Sequence, residues 1–149
     1  MDYILEKSSN PSKRAKEIVF EKLNTPVLYE ESGKPYTDKA YISISHSGDI
    51  VLVGFCSSPI GVDIEILRPY DFRLIDRYFS KDEKAFIKCD EDFFTVWTVK
   101  EAYLKLTGEG LKGIKKLNVI KDNQVYIEGY NITVTREKDY IFSIVFKGV

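Results

Sequence analysis

The stretch Trp97-Thr98-Val99-Lys100-Glu101-Ala102-Tyr103-Leu104-Lys105 lies in a run from about Asp92 to Leu106 that contains no Gly or Pro, and the run predicts one helix. Glu101 and Lys105 are four residues apart and share a face, with Trp97 a turn earlier on the same side. Lys100 lies beside them, roughly 100° around the axis. On a polar helix this would be an ordinary surface Glu–Lys pair. The flanking positions Phe93, Phe94, Val96, Ala102, Tyr103 and Leu106 are largely apolar instead. A helix apolar over much of its circumference is substantially buried, and a charged cluster on it is costly unless paired or ligated.

Upstream, Gly61-Val62-Asp63-Ile64-Glu65-Ile66 alternates apolar and acidic residues, the period of a β-strand. Val62, Ile64 and Ile66 face a core. Asp63 and Glu65 share the other face, roughly 7 Å apart along the strand. Two carboxylates on one face repel each other unless something neutralises them. A hard cation such as Mg²⁺ does so, because it prefers carboxylate, phosphate and water oxygens. Taken alone, the pentapeptide Gly61 to Glu65 fits a solvated strand face better than a metal site.

Outward from these segments the chain reads as a mixed α+β layout. Residues 2 to 6 are expected as a short strand, and Asn10-Pro11-Ser12 opens a helix to about Lys22. Strands are expected at 27 to 30 and 41 to 45, around a turn at Ser32-Gly33. The apolar, β-branched run from Ile50 to Cys56 follows through Ser47-Gly48-Asp49, a hairpin signal. Ser80 with Glu83 forms a capping box for a helix through about Lys88. After the long helix, Gly108, Gly110 and Gly113 predict a flexible turn, and strands are expected at 115 to 120, 124 to 128, 131 to 136 and 140 to 146. Helix followed by strands thus occurs twice, before residue 57 and after it.

Composition excludes several classes. The 149 residues, 44% hydrophobic, suffice for one compact unit with a real core. A net charge of −1, from 22 basic and 23 acidic residues, argues against bulk attraction to nucleic acid. No run of 18 apolar residues is present, so no membrane span is expected. Met1-Asp2-Tyr3-Ile4-Leu5-Glu6 has neither a basic start nor an apolar signal core. Cys56 and Cys89 form no close motif and are expected as free thiols in a cytoplasmic protein. Ser45-His46 lacks the nucleophile-elbow context of a hydrolase triad.

Gly61-Val62-Asp63-Ile64-Glu65 followed by Trp97 to Lys105 resembles the motif pair of the 4′-phosphopantetheinyl transferases. Ile44-Ser45-His46-Ser47-Gly48 resembles a further block of the surfactin-synthetase-activating type, as do Gly33-Lys34-Pro35-Tyr36 and Arg77-Tyr78-Phe79-Ser80-Lys81-Asp82-Glu83. The five blocks keep their order over roughly residues 30 to 112. The resemblance implies two related α+β halves, approximately 1–57 and 58–149, with the active site in the cleft between them. It also implies Mg²⁺-dependent transfer of the phosphopantetheine arm of coenzyme A to a serine of an apo acyl or peptidyl carrier protein, releasing 3′,5′-ADP. Mn²⁺ is the alternative ion.

Carried over by motif, Asp63, Glu65 and Glu101 would gather around the metal, and Lys105 would contact the pyrophosphate, with Lys100 beside it. Ser45 and His46 match positions that touch the coenzyme's phosphates, and Lys34 and Pro35 the block beside the nucleotide. Glu101 is the preferred general base, with a metal-bound hydroxide as the competing choice. The chain is several tens of residues shorter than that type, mostly before Lys34, where basic residues usually hold the 3′-phosphate. Lys13, Arg14 and Lys16 are candidates, although a solvated helix face explains them equally. Lys112, Lys115 and Lys116 could steer an acidic carrier, although plain surface explains them more readily, and Phe72, Leu74 and Tyr78 could receive one of its helices, although core packing explains them at least as well. A monomer is expected, with a dimer as the alternative. The other functional class is a non-catalytic module that binds coenzyme A or a carrier.

Overall fold

Two three-stranded antiparallel sheets, each with its own helix, make up the frame in the computed structural model, which describes residues 1–148. The first unit contains β1 (Asp2–Lys7), α1 (Pro11–Leu23), β4 (Tyr41–Ser47) and β5 (Ile50–Cys56), with the short pair β2 (Leu28–Tyr29) and β3 (Pro35–Tyr36) between helix and hairpin. The second contains β6 (Ile60–Ile66), α2 (Arg73–Tyr78), α3 (Lys81–Phe86), α4 (Asp90–Thr107), the two-residue strands β7 (Ile120–Lys121) and β8 (Gln124–Val125), β9 (Tyr130–Arg136) and β10 (Tyr140–Lys147). The strand orders are β1-β5-β4 and β6-β10-β9. Each unit therefore runs strand, helix, hairpin, with its last strand at the centre of its sheet.

Periodicity explains the layering. On β5, Val51, Val53 and Phe55 face α1 and pack on Ala15, Ile18 and Val19. The alternate residues Ile50 and Leu52 face inward and share a core with Val62 and Ile64 of β6 and Phe142 and Ile144 of β10. On the far side of the second sheet, Ile141 and Val145 pack beneath Phe94, Val99 and Ala102 of α4. The order across the molecule is helix, sheet, shared core, sheet, helix.

Local signals set the ends of the elements. Asn10 caps α1, its side chain accepting from the Lys13 amide, with Pro11 in the first turn. Ser80 and Glu83 form the expected capping box on α3. Helix α4 starts two residues before the expected Asp92 and stops at Gly108, whose φ of 79° is the left-handed conformation that glycine adopts freely.

The structure departs from the sequence expectations at five places. Residues 110–113 form a 3₁₀ turn rather than a flexible one, and the strand expected at 115 to 120 shrinks to Ile120–Lys121. The strand expected at 124 to 128 is likewise only Gln124–Val125, because Asp122 and Asn123 turn the chain sharply with φ of 53° and 59°. The strand expected at 27 to 30 is reduced to Leu28–Tyr29. Helix α2 was not expected: its six residues carry no side-chain cap, and only Leu74, Ile75 and Tyr78 mark its packed side. Among the described residues, no helix is long and apolar enough to cross a membrane.

Candidate active site

Strand β6 crosses α4 with the two backbones almost touching. A side chain at Gly61 would collide with the Ala102 carbonyl and the Leu106 amide, so glycine is what permits this approach. Asp63 and Glu65 lie on the same face of β6 as Gly61. The crossing therefore turns both carboxylates towards the helix that bears Glu101 and Lys105.

Asp63 is the electrostatic centre of this corner and is only 6% exposed. Its Oδ1 accepts from Lys105 Nζ at 3.2 Å and from Ser45 Oγ at 3.2 Å. Its Oδ2 is buried without a hydrogen-bond partner. Burial pushes the Asp63 carboxyl up to about 7; Lys105 opposes the shift, while the like charges of Glu65 and Glu101 add to it. Burial also pushes Glu101 upward, with Lys105 pulling it back and Glu65 reinforcing the rise. Glu65 is held from the solvent side by Arg68, whose Nη1 lies 3.0 Å from Glu65 Oε2 and whose guanidinium sits over the Phe94 ring.

The chemistry of this donor set fits a hard divalent cation. Lys105 and Arg68 offset two of the three carboxylates, and one buried carboxylate oxygen has no donor. Mg²⁺ and similar ions take such oxygens. As the side chains stand, no three carboxylate, imidazole or thiol groups among the described residues are close enough together to hold an ion.

A cavity of about 290 Å³ opens beside the corner, walled by Lys34 and Pro35, by Ile42 and Ile44 of β4, and by Glu101 and Lys105 of α4. Lys34 reaches across from the β2–β3 turn and donates to the Leu106 carbonyl at 2.9 Å. That carbonyl belongs to the last turn of α4, where unpaired oxygens and the helix dipole favour a cation. Lys105 Nζ also donates to the Ile44 carbonyl at 3.3 Å. Four of the residues singled out in the sequence thus meet at one cavity, with Asp63 and Glu65 next to it.

The remaining candidates lie elsewhere. Lys100 lies away from the cavity. Its ammonium is 2.6 Å from Glu83 Oε1, both side chains are fully buried, and it donates to the Tyr78 carbonyl. Glu83 also accepts from the Ser80 and Val119 amides, so this buried pair ties α3, α4 and the start of β7 together. Arg14 chelates Glu6 and Glu21 on the outside of α1. Ser45 is buried against Asp63 and the Ile64 amide. His46 is exposed near the end of β4 and outside the cavity wall. Lys112, Lys115 and Lys116 are exposed, as is Phe72, whereas Leu74 and Tyr78 pack into the core.

Sequence reasoning missed the contact role of Gly61, the bracing of Glu65 by Arg68 and the use of Ser45. Only the second left a signal, a Glu and an Arg three residues apart. The other two depend on which elements cross.

The model of the 4′-phosphopantetheinyl transferase superfamily matches residues 59–145. The 4′-phosphopantetheinyl transferase Sfp of Bacillus subtilis (strain 168) is 36% identical over 111 residues, 66% of this chain and 50% of its own length. The psf-1 transferase of Bacillus pumilus is 36% identical over 91 residues, 55% of this chain and 39% of its own. The gsp transferase of Aneurinibacillus migulanus is 31% identical over 97 residues, 59% of this chain and 41% of its own. The chain spans about half the length of these relatives or less. The matched residues are more than half of the chain and contain the acidic strand and α4, which carry the three carboxylates and Lys105, and the chain belongs to the 4′-phosphopantetheinyl transferase superfamily.

Proposed function

We propose that this chain transfers the 4′-phosphopantetheine group of coenzyme A to a serine of an apo acyl or peptidyl carrier protein, releasing 3′,5′-ADP, with a divalent cation bound by Asp63, Glu65 and Glu101. The observation that carries this reading is the partnerless, buried Oδ2 of Asp63 beside Glu65, Glu101 and Lys105. A cation there would supply charge neutralisation for a pyrophosphate, the usual main contribution in phosphoryl transfer.

The chain's own residues supply the rest. Lys105 bridges β4 and Asp63 with a side chain that is 34% exposed, so its ammonium can turn outward to a phosphate oxygen of the substrate. Lys34 and Pro35 wall the cavity opposite α4 and would bracket the nucleotide. Glu101 lines the same cavity, and burial has already made its carboxylate more basic. It would accept the proton of the carrier serine as the hydroxyl attacks the phosphorus next to the pantetheine arm, while the 3′,5′-ADP oxygen leaves on the opposite side. The apolar wall of Ile42, Ile44 and Leu104 limits water, the competing nucleophile.

The test is incubation with coenzyme A, Mg²⁺ and a panel of apo carriers, read by intact mass. Gain of one phosphopantetheine mass on a carrier supports the proposal. Coenzyme A binding with no gain on any carrier would favour a binding module that keeps the fold.

A further inference from the structure

Strands β4 and β6 are neighbours where the two sheets meet, yet they belong to separate sheets. Serine hydroxyls bridge the seam in place of a backbone ladder. Ser43, Ser45 and Ser47 accept from the amides of Val62, Ile64 and Ile66 at 3.0, 3.1 and 3.1 Å, each pair 19 residues apart, so the strands run parallel. One outward carbonyl of β4, that of Ile44, accepts from Lys105 instead.

The three serines share this bridging, but among the described residues Ser45 alone adds a contact to a carboxylate. Its Oγ accepts from Ile64 N, which leaves its own proton free for Asp63 Oδ1 at 3.2 Å. A carboxylate rotates broadly about its last torsion. Two donors on one oxygen, Ser45 and Lys105, fix its plane and leave the second oxygen bare. Lys105 is about one-third exposed and would turn to substrate; Ser45 is 6% exposed and stays.

We infer that Ser45 is a positioning residue, whose hydroxyl holds Oδ1 of Asp63 so that Oδ2 is presented to a divalent cation. The inference rests on the metal-dependent reading above. Partners one shell out from a metal ligand typically change metal affinity by about 10–100-fold when removed.

The experiment is titration of the protein with Mn²⁺ alone, without coenzyme, followed by the electron paramagnetic resonance of the free ion. Ser45→Ala is expected to bind about 10-fold more weakly than wild type. Ser47→Ala, which removes an equivalent seam bridge without touching Asp63, is expected to melt lower yet bind Mn²⁺ like wild type. Ser45→Thr, which keeps the hydroxyl, should restore affinity. Ser45→Cys keeps the volume with a weak donor and gives the same reading if Ser45→Ala does not fold. Wild-type affinity in Ser45→Ala or Ser45→Cys, or an equal loss in Ser47→Ala, overturns the inference while leaving the metal reading intact. A wild-type protein that binds no Mn²⁺ overturns both.

Discussion

Gly61 of β6 lies against the Ala102 carbonyl of α4 so closely that no β-carbon fits between them. This contact sets how near the acidic strand comes to the helix bearing Glu101. Gly61→Ala must push the helix off the strand. Forced overpacking of this kind costs about 1–3 kcal/mol, or more where backbone is the obstacle. The expected result is a lower denaturation midpoint together with weaker divalent-ion binding. Unchanged stability would contradict the close crossing.

Asp63 predicts a pH dependence of stability. In the unfolded chain its carboxyl titrates near its ordinary value of 3.8, whereas burial in the fold holds it up at about 7. Between those values the folded state binds more protons, so this group's contribution to stability falls as pH rises from about 4 to about 7. Asp63→Asn removes the buried charge. Without metal, the variant is expected to be more stable than wild type at pH 8 and to lose that advantage towards pH 4, as denaturant titrations across the range would read. It is also expected to lose Mg²⁺-dependent transfer.

The two lysines of α4 at 100 and 105 separate stability from chemistry. Lys100→Met leaves Glu83 charged, buried and short of its cation, a change that costs about 3–5 kcal/mol. Lys105→Met removes an ammonium that is itself partly exposed, and Asp63 can take up a proton in its place, so the expected loss of stability is smaller than for Lys100→Met. Turnover should show the reverse order: Lys105→Met loses nearly all of it, while folded Lys100→Met keeps its affinity for coenzyme A. Melting curves and steady-state kinetics on both variants check the pair.

Lys34 ties the β2–β3 turn to the end of α4 through a single bond to Leu106. Lys34→Met is expected to raise KM for coenzyme A more than it lowers kcat, and to speed amide exchange in residues 30–36. A variant with unaltered KM would remove Lys34 from the nucleotide wall.

Much of the frame was legible from periodicity. Strand β6 and helix α4 each keep one period for their whole length, so their faces could be assigned from spacing; that Asp63 and Glu65 gather with Glu101 and Lys105 was implied by the family resemblance, not by spacing. Lys100 could not be assigned this way. A helical wheel places it next to Glu101 but does not say that Glu83, legible only as a capping residue, waits on that side with a buried carboxylate. Ser43, Ser45 and Ser47 read as the polar face of a strand; only the approach of β6 shows that they stand in for missing backbone partners. The tail of short strands failed for a local reason, since tight turns at Asp122 and Asn123 leave two residues on each side to pair.

The middle apolar layer is drawn from both units, with Leu52 on one side and Val62 and Phe142 on the other. Neither unit can cover that surface by itself, although each has a complete sheet and helix. Cutting the chain at Ser57-Ser58 would therefore yield two fragments that are sticky apart and complementary together. The same interdependence makes folding of the acidic strand contingent on the half of the molecule that contributes none of its carboxylates.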